Sequence, residues 1–473
     1  MATATDSVFI GPVLYDGTRI PSPVPSWDQV APARREDGNV LEVNFGPNHP
    51  STHGVLRLVV DLDGEEIVGM RAVVGYLHTG FEKSMEQKSW WKAINYPSRI
   101  DYLSSFQNEL LFVLAIEKLL GIEVPPKATW VRMALSELNR IHSHLVWLGT
   151  MGLELGVQSI YFYCFDQRER VLDLFEMVTG VRVHGRYCQA GGLAEDIPPG
   201  FVSDARTFCR GMPKAIDEYV HITEKNKIWL KRTKGIGVVS AADAIRLGLS
   251  GPVLRGSGVN WDLRKREPYL FYDQVDFEVP VYEGGDSYAR ARVRIDEMRQ
   301  SIRIAEQCLD RIEQLAAGSR AADDREPPRP PREELHSIRA LSIDDMRAAL
   351  KSTEKPVYRV EQTGAWIADD PKVVLPPREA LHTSMESLIH HFKLVTEGYR
   401  VPAGEIYVAI ESSRGEQGCY VVSDGGSSPW RVHFRAPSFV SIAAAPTLCQ
   451  GLLIADLITI SASLDTLLGD SDR

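Results

Sequence analysis

The sequence has few cysteines for its length, and no two of them are close enough in sequence to form a metal-binding or redox motif. Its 473 residues contain six scattered cysteines and no C-x-x-C pair. Such spacing does not provide a disulfide framework. It also lacks the clustered thiolates that hold iron–sulfur clusters or structural zinc. We therefore expect buried free thiols in a reducing cytosol, and no metal held by this chain.

The sequence also has no apolar run that could cross a bilayer, which takes about 20 uninterrupted residues. The two most apolar stretches, 110–120 and 441–464, are interrupted by Glu117 and by Asp456, respectively. No basic segment followed by an apolar one opens the sequence, so we expect no secretory signal. The formal net charge is −10, which argues against a nucleic-acid-binding protein. These features predict a large, acidic, soluble intracellular protein.

Most of the chain has the periodicity of helices. Hydrophobic residues make up 44% of the sequence and charged residues 25%, which is typical of a globular protein with a large core. Apolar residues recur at helical spacing over 101–120, 126–148, 160–178, 201–226, 286–316, 385–395 and 438–464. The sequence therefore predicts a mainly α (α+β) fold, with a central helical bundle and small antiparallel β portions.

The β portions are predicted near the two ends of the sequence. Asp63-Gly64 suits a tight turn between strands at 55–62 and 66–74, and a second hairpin is predicted within 406–429. The predicted organisation is an irregular N-terminal arm over 1–39, a β-hairpin region over 40–80, a helical bundle over 81–316 with loops and small strands at 227–285, a mobile insertion over 317–375, and a C-terminal hairpin and helix over 376–473.

Two polar motifs could carry chemistry. In GPNHPSTHG, proline and glycine constrain a loop that contains His49 and His53. An imidazole there can donate a hydrogen bond or relay a proton, although a purely structural histidine explains the motif equally well. In PSRIDYLS, the hydroxyl of Tyr102 can donate to a bound carbonyl, while Asp101 or Ser98 can cap the next helix. Spacing alone does not decide between these roles.

Longer motifs together resemble one family. They are GPNHPSTHG, GYLHTGFEK, RIDYLSSFQNELLFVLAIEKLLG, LDLFEMVTG, SGVNWDLR, ESSRGEQGCYVVSDGGSSPWRVHFRAPSF and DLITISASLDTLLGDSDR. The resemblance runs from about Val43 to Arg473 and is to the D subunit of bacterial NADH–quinone oxidoreductase, the 49-kDa-type subunit of respiratory complex I. It implies a peripheral-arm subunit of a proton-translocating enzyme at the cytoplasmic face of the plasma membrane.

That family is related to the large subunit of nickel–iron hydrogenases, so the resemblance implies a hydrogenase-large-subunit-like fold. The positions of the four hydrogenase thiolates are occupied here by Asp101, Ser104, Leu467 and Asp470. Soft thiolates retain nickel and iron, so the resemblance implies a vacated metal cavity that became part of a quinone headgroup site. It also implies a B-type partner with the terminal [4Fe–4S] cluster, a C-type partner and membrane-arm subunits, with quinone as substrate and no cofactor bound by this chain alone.

The resemblance assigns the headgroup contacts to His53 and Tyr102. In the family a carboxylate, usually aspartate, partners this histidine; Glu154, with one more methylene, stands at that position here. Asp101 and His49 are expected to support the site. Two alternatives stay open at this point. In the first, the chain is a non-catalytic scaffold of the same complex. In the second, it is the equivalent subunit of a related dehydrogenase with another electron donor.

A first prediction concerns the expected insertion. Replacing residues 318–372 by a short Gly/Ser linker should preserve assembly and quinone reduction. The reason is that DDREPPRPPREE has four prolines in twelve residues and almost no apolar side chain, so burial cannot offset the entropy of ordering it. Co-purification of partner subunits and quinone reductase assays measure the outcome. Loss of assembly would mark a subunit contact instead, with the amphipathic stretch Ile338–Leu350 the first place to look.

Overall fold

Three small antiparallel sheets accompany the helices. The computed structural model describes residues 40–323, 365–368, 370, 372–378 and 380–473. The strands are β1 Val40–Phe45, β2 Arg57–Asp63, β3 Glu66–Val73, β4 Cys188–Gln189, β5 Gly192–Leu193, β6 Gly404–Ser412, β7 Gly415–Ser423 and β8 Arg431–Arg435. One sheet has the order β1-β2-β3, a second is the short pair β4-β5, and the third has the order β6-β7-β8.

The helices account for most of the described residues, and the predicted mainly α fold with small antiparallel sheets is confirmed. None of the helices in the described part of the chain is both long and apolar enough to cross a bilayer. In chain order they are α1 Phe81–Glu86, α2 Trp90–Ala93, α3 Pro97–Ile100, α4 Ser105–Leu120, α5 Pro126–Glu154, α6 Gln158–Thr179, α7 Phe201–Glu224, α8 Lys227–Thr233, α9 Ala241–Arg246, α10 Gly251–Arg255, α11 Leu263–Arg266, α12 Ser287–Asp323, α13 Ala380–Thr383, α14 Met385–Thr396, α15 Pro437–Cys449, α16 Ile454–Leu464 and α17 Leu468–Asp472.

The long helix α5 lies at the centre of the largest core. It is buried on nearly every side, as expected of a helix that is apolar around most of its circumference. Leu138 and Leu145 of α5 pack in one cluster with Phe175 of α6 and Met298 of α12. The same helix also buries polar and charged side chains. Its C-terminal half forms a wall of the cavity described below.

The predicted final helix at 438–464 is in fact two helices. Helix α15 ends at Cys449, because Gln450 is already extended with ψ 130°. After Gly451, with its positive φ of 75°, an extended segment leads to α16. This segment pairs with the edge of β3: Ile67 N donates to Leu452 O at 2.8 Å, and Ile454 N donates to Glu65 O at 3.0 Å. Backbone pairing with a distant strand thus overrides the apolar periodicity.

The small strands predicted at 227–285 are also wrong, because the structure has the short helices α8 to α11 there. Polar side chains begin three of them: Asn226, Ser240 and Asp262 each accept a hydrogen bond from a backbone amide in the first turn. These N-caps satisfy amides that a short helix leaves free. The predicted hairpins, in contrast, are present, and each gains a third strand, β1 and β8.

The predicted insertion at 317–375 extends too far at both ends. Helix α12 runs on to Asp323, and residues 365–368 belong to the fold. Leu193 N donates to Trp366 O at 3.1 Å, and Ala368 N donates to Gly191 O at 2.7 Å. Residues 324–364, with the stretch at 338–350, and the arm at 1–39 lie outside the described residues. A replacement linker therefore has to end before residue 365.

A second prediction tests this docking of residues 365–368. A Cβ at Gly192 would lie 2.4 Å from Trp366 O and 2.7 Å from Ile367 Cα. Gly192→Ala should therefore lower the free energy of unfolding by about 1–3 kcal/mol, the usual range for an overpacked site. Thermal unfolding of the purified protein measures the change.

The matched control is Gly211→Ala in helix α7, where a Cβ meets nothing within 4 Å. Alanine is the better helix former, so this variant should gain about 0.5–1 kcal/mol. Equal stability of the two variants would contradict the close approach of Trp366 to Gly192.

Candidate functional site

A cavity of about 150 Å³ lies where five parts of the chain meet. They are the turn before β2, the turn between α3 and α4, the C-terminal half of α5, the β6–β7 turn, and α16 with the loop after it. The lining residues are Ser51, His53, Tyr102, Leu103, Val146, Trp147, Thr150, Glu154, Arg414, Ser461, Ala462, Asp465, Thr466 and Leu467. The structure therefore brings the three candidates His53, Tyr102 and Glu154 to one cavity.

His53 is placed by a single turn of 3-10 helix at Pro50–Thr52. Its amide donates to Pro50 O at 3.0 Å, and its φ of 53° is an uncommon, left-handed conformation for a histidine. Desolvation lowers the pKa of His53 below its usual value; the charge of Asp465 raises this pKa and that of Arg414 lowers it further. The ring is therefore mostly neutral at neutral pH and has one N–H to donate.

His49 shapes this turn and does not line the cavity. Its Nδ1 accepts a hydrogen bond from Ser51 N at 3.1 Å, and its ring centroid is 4.2 Å from that of Phe45. The hydroxyl of Thr52 donates to Pro47 O and to His49 O in the same turn. His49 thus supports the site indirectly, because its contacts hold the backbone that carries His53.

Tyr102 lies in the turn between α3 and α4, where the backbone is fixed from both sides. The Asp101 carboxylate accepts from Leu103 N at 3.1 Å. Leu103 O accepts from Asn139 Nδ2 at 2.9 Å and lies 3.2 Å from His142 Nδ1. Burial raises the pKa of Tyr102, so the phenol keeps its proton and can donate it to a hydrogen bond.

Glu154 is the last residue of α5, and its carboxyl does not form the expected pair with His53. Among the described residues its hydrogen-bonding partner is Ser51, and Oε2 is buried without a partner. Burial raises the pKa of Glu154 to about 7, and the Ser51 hydrogen bond lowers it in part. In this structure the end of α5 faces the 3-10 turn before His53, and no hydrogen bond joins Glu154 to His53 among the described residues.

A buried guanidinium lies among the positions that the resemblance equates with hydrogenase thiolates. Arg414 Nη1 donates to Asp101 Oδ2 at 2.9 Å and to Ser104 Oγ at 3.5 Å. Arg414 Nη2 donates to Asp465 Oδ1 at 3.1 Å. The charges of these acids hold the pKa of Arg414 above its usual value despite its burial. The positively charged Arg414 side chain thus occupies the oxygen atoms of Asp101 and Ser104 that a metal ion would need as ligands.

The other two of these four positions are those of Leu467 and Asp470. Leu467 lines the cavity, and Asp470 accepts from Gln417 Nε2 at 2.9 Å and from Ser438 N at 3.1 Å. Burial raises the pKa of Asp470, and the nearby charge of Asp101 adds to this. In the described part of the chain, no three His, Cys, Asp or Glu side chains are placed to hold a metal ion.

Sequence reasoning does not identify Ser51, Arg414 and Asp465 as members of the cavity. In the sequence Arg414 is only part of a glycine-rich turn, and its partners Asp101 and Asp465 are 313 and 51 residues away. No local pattern carries that information. The six cysteines, as expected, are buried and free.

Comparisons with known proteins agree with this architecture. The family model described as respiratory-chain NADH dehydrogenase, 49 Kd subunit, matches residues 154–356 and 338–473. The NADH-quinone oxidoreductase D subunit 2 of Chloroflexus aurantiacus is 45% identical over 454 residues, which cover 96% of this chain and 99% of the relative. This chain belongs to the 49-kDa-subunit family.

Other members of the 49-kDa-subunit family match over similar lengths. The NADH-quinone oxidoreductase D subunit 1 of Herpetosiphon aurantiacus is 46% identical over 433 residues, 92% of each chain. The D subunit of the Acidothermus cellulolyticus enzyme is 46% identical over 435 residues, 92% of this chain and 91% of the relative. The expected family and the expectation of an oxidoreductase subunit are confirmed.

A third prediction concerns metals. Elemental analysis of the purified chain should find no stoichiometric nickel, iron or zinc, because Asp101 and Ser104 are bonded to Arg414 and Leu467 has no donor atom. Soft thiolates are what such a centre requires. A reproducible metal content near one per chain would contradict the interpretation of a vacated site.

Proposed function

We propose that this chain forms the quinone headgroup site of a proton-translocating NADH:quinone oxidoreductase and takes part in passing electrons to quinone. The observation that carries the proposal is the shared cavity, to which His53, Tyr102 and Glu154 all contribute. A phenol and an imidazole can each donate a hydrogen bond to a quinone carbonyl. Such preorganised donors favour the negative charge that develops on reduction.

Reduction of a quinone to a hydroquinone takes two electrons and two protons, and the cavity holds groups suited to the protons. Glu154, with a pKa of about 7, is close to half protonated at neutral pH, the range in which general acids work best. His53 is exposed and can take up a proton from solvent before passing it to the headgroup. Tyr102 keeps its proton and holds the carbonyl in place.

The electrons would come one at a time from the terminal [4Fe–4S] cluster of a B-type partner subunit. A C-type subunit and the membrane-arm subunits complete the surroundings of the chain in this proposal. The complex would lie at the cytoplasmic face of the plasma membrane, with this chain as a peripheral subunit. The proposal is supported by the relatives, which are named as D subunits of NADH-quinone oxidoreductase.

A fourth prediction tests the site. His53→Ala and Tyr102→Phe should each leave the complex assembled and lower the rate of quinone reduction. Loss of one preorganised donor typically costs on the order of 10²–10³ in rate. The measurement is NADH oxidation with a short-chain quinone, beside NADH oxidation with an artificial acceptor that does not need the quinone site.

Matched controls are His221→Ala and Tyr163→Phe, which remove the same groups from exposed positions outside the cavity. Both should turn over quinone at the wild-type rate. Near-wild-type turnover in His53→Ala and Tyr102→Phe would favour the scaffold role, in which the chemistry resides elsewhere in the complex.

A further inference from the structure

Residues 225–234 are strongly basic in a chain whose formal net charge is −10. This segment follows α7 and contains helix α8. Acids elsewhere on the surface affect it little, because charges more than a Debye length apart, about 8 Å at physiological salt, are largely screened. Its charged residues are all cations: Lys225, Lys227, Lys231, Arg232 and Lys234. The segment therefore has a local positive potential.

The packing of α8 determines which of its side chains point outward. Trp229 is 1% exposed and belongs to the largest core, and Thr233 is also buried and donates to Trp229 O at 2.8 Å. One turn takes 3.6 residues, or roughly 100° per residue. Lys227, Ile228 and Lys231 therefore share one arc of about 100° on the other side of the helix, and all three are exposed.

This outward side combines free cations with an apolar side chain. Lys227 and Lys231 form no ion pair with the described residues, and Ile228 is 65% exposed. Lys225 and Lys234, at the two ends of α8, are exposed as well. We call Lys227, Ile228 and Lys231 the basic face. Its composition is that of a surface that attracts anions and also inserts an apolar group.

Lysine, and not arginine, supplies the charge of the basic face, and this favours a lipid surface over a folded protein as the occupant. Protein–protein interfaces are enriched in arginine and depleted in lysine. The lysine ammonium is a hydrated point charge on a flexible stem, without the fixed fork of a guanidinium. Such charges suit mobile phosphate headgroups, and the apolar stems can lie along the boundary with the acyl chains.

The helix that carries the basic face is attached to the helix that forms one wall of the cavity. Arg232 of α8 donates to Ala455 O at 2.5 Å and to Thr459 Oγ1 at 3.1 Å, both in α16. Further along α16, Ser461 and Ala462 line the cavity. The rise from Ala455 to Ala462 is about 10 Å at 1.5 Å per residue. A bilayer bound at the basic face would thus lie near the proposed quinone site.

We propose that the basic face of α8 binds the anionic headgroups of a lipid bilayer, with Ile228 inserted between them. The inference rests on the proposed function, because quinone dissolves in the membrane and its reduction brings this chain to the membrane surface. The attraction is electrostatic and weak for so few cations, so it adds to the contacts that hold the chain in a complex. It keeps the α16 wall of the cavity close to the bilayer.

The test measures binding of the purified full-length chain to lipid vesicles by flotation. The chain should bind vesicles that contain phosphatidylglycerol and bind pure phosphatidylcholine far more weakly. Added salt should release it, because the Debye length falls from about 10 Å at 0.1 M to about 3 Å at 1 M. Lys227→Gln combined with Lys231→Gln should lower the affinity for anionic vesicles about 25-fold, since each cation near such a surface contributes about fivefold.

Two other exposed lysines provide a matched control. Lys118 of α4 and Lys393 of α14 are exposed and form no ion pair with the described residues. Lys118→Gln combined with Lys393→Gln removes the same charge and should leave the vesicle affinity unchanged. Lys227→Arg combined with Lys231→Arg keeps the charge of the basic face and should also bind as the wild type does.

The outcomes separate a lipid surface from a protein partner. Equal vesicle affinity of the Lys227→Gln, Lys231→Gln chain and the control chain would overturn the inference. Loss of partner subunits from the purified complex of that variant, with its vesicle affinity unchanged, would also overturn it and assign the face to an acidic protein. The vesicles contain no quinone and no partner subunit. Wild-type turnover in His53→Ala would therefore remove the proposed quinone site and leave the vesicle result in place.

Discussion

The buried guanidinium of Arg414 joins parts of the chain that are far apart in sequence. It donates to Asp101 before α4, to Ser143 within α5 and to Asp465 after α16. A buried charge costs several kcal/mol unless it is paired and fully hydrogen-bonded. Arg414 can therefore be buried only when these three elements have met around the β6–β7 turn. The contact between these elements also closes the cavity. The cavity therefore forms where the chain pairs and hydrogen-bonds the buried Arg414 side chain.

The hydrogen bonds of Arg414 also make two walls of the cavity different, because they hold the turn that carries Tyr102 and do not reach the turn that carries His53. The turn that carries Tyr102 is fixed by Asp101, and Asp101 is fixed by Arg414. The turn that carries His53 is held by its own hydrogen bonds and by the one between Ser51 and Glu154, and His53 is exposed. In the proposed function, the wall with Tyr102 would position a quinone headgroup, while the wall with His53 would exchange protons with solvent.

Sequence reasoning reaches the helices because apolar spacing and caps are local signals. Gly121 and Gly180 end α4 and α6 as their left-handed C-caps. It misses the break at Gly451, because the cause of that break is pairing with β3, far away in the chain. Family motifs, and not spacing, single out His53 and Tyr102. The pairing of Arg414 with Asp465 joins two turns of the chain, and the spacing of residues within either turn does not record it.

Two glutamates on α5 show what distinguishes a structural carboxyl from one suited to proton transfer. Burial alone would raise the pKa of Glu137, but Arg140 and Arg264 lower it to about 2. Glu154 lies about five turns further along the helix, at roughly 3.6 residues per turn. It has no arginine among its partners in the described part of the chain, and burial raises its pKa to about 7.

The residue type and the helix are the same, so the difference comes from the guanidinium groups. Removing both cations from Glu137 would leave a buried charge unpaired, and breaking a buried pair typically costs about 3–5 kcal/mol. At Glu154 the described residues form no such pair that could be broken, and a proton can come and go at little cost to the fold. The arginines of this core thus determine which carboxyl groups form stabilising ion pairs. Of these two glutamates, the one that lines the cavity is Glu154, which has no arginine partner among the described residues.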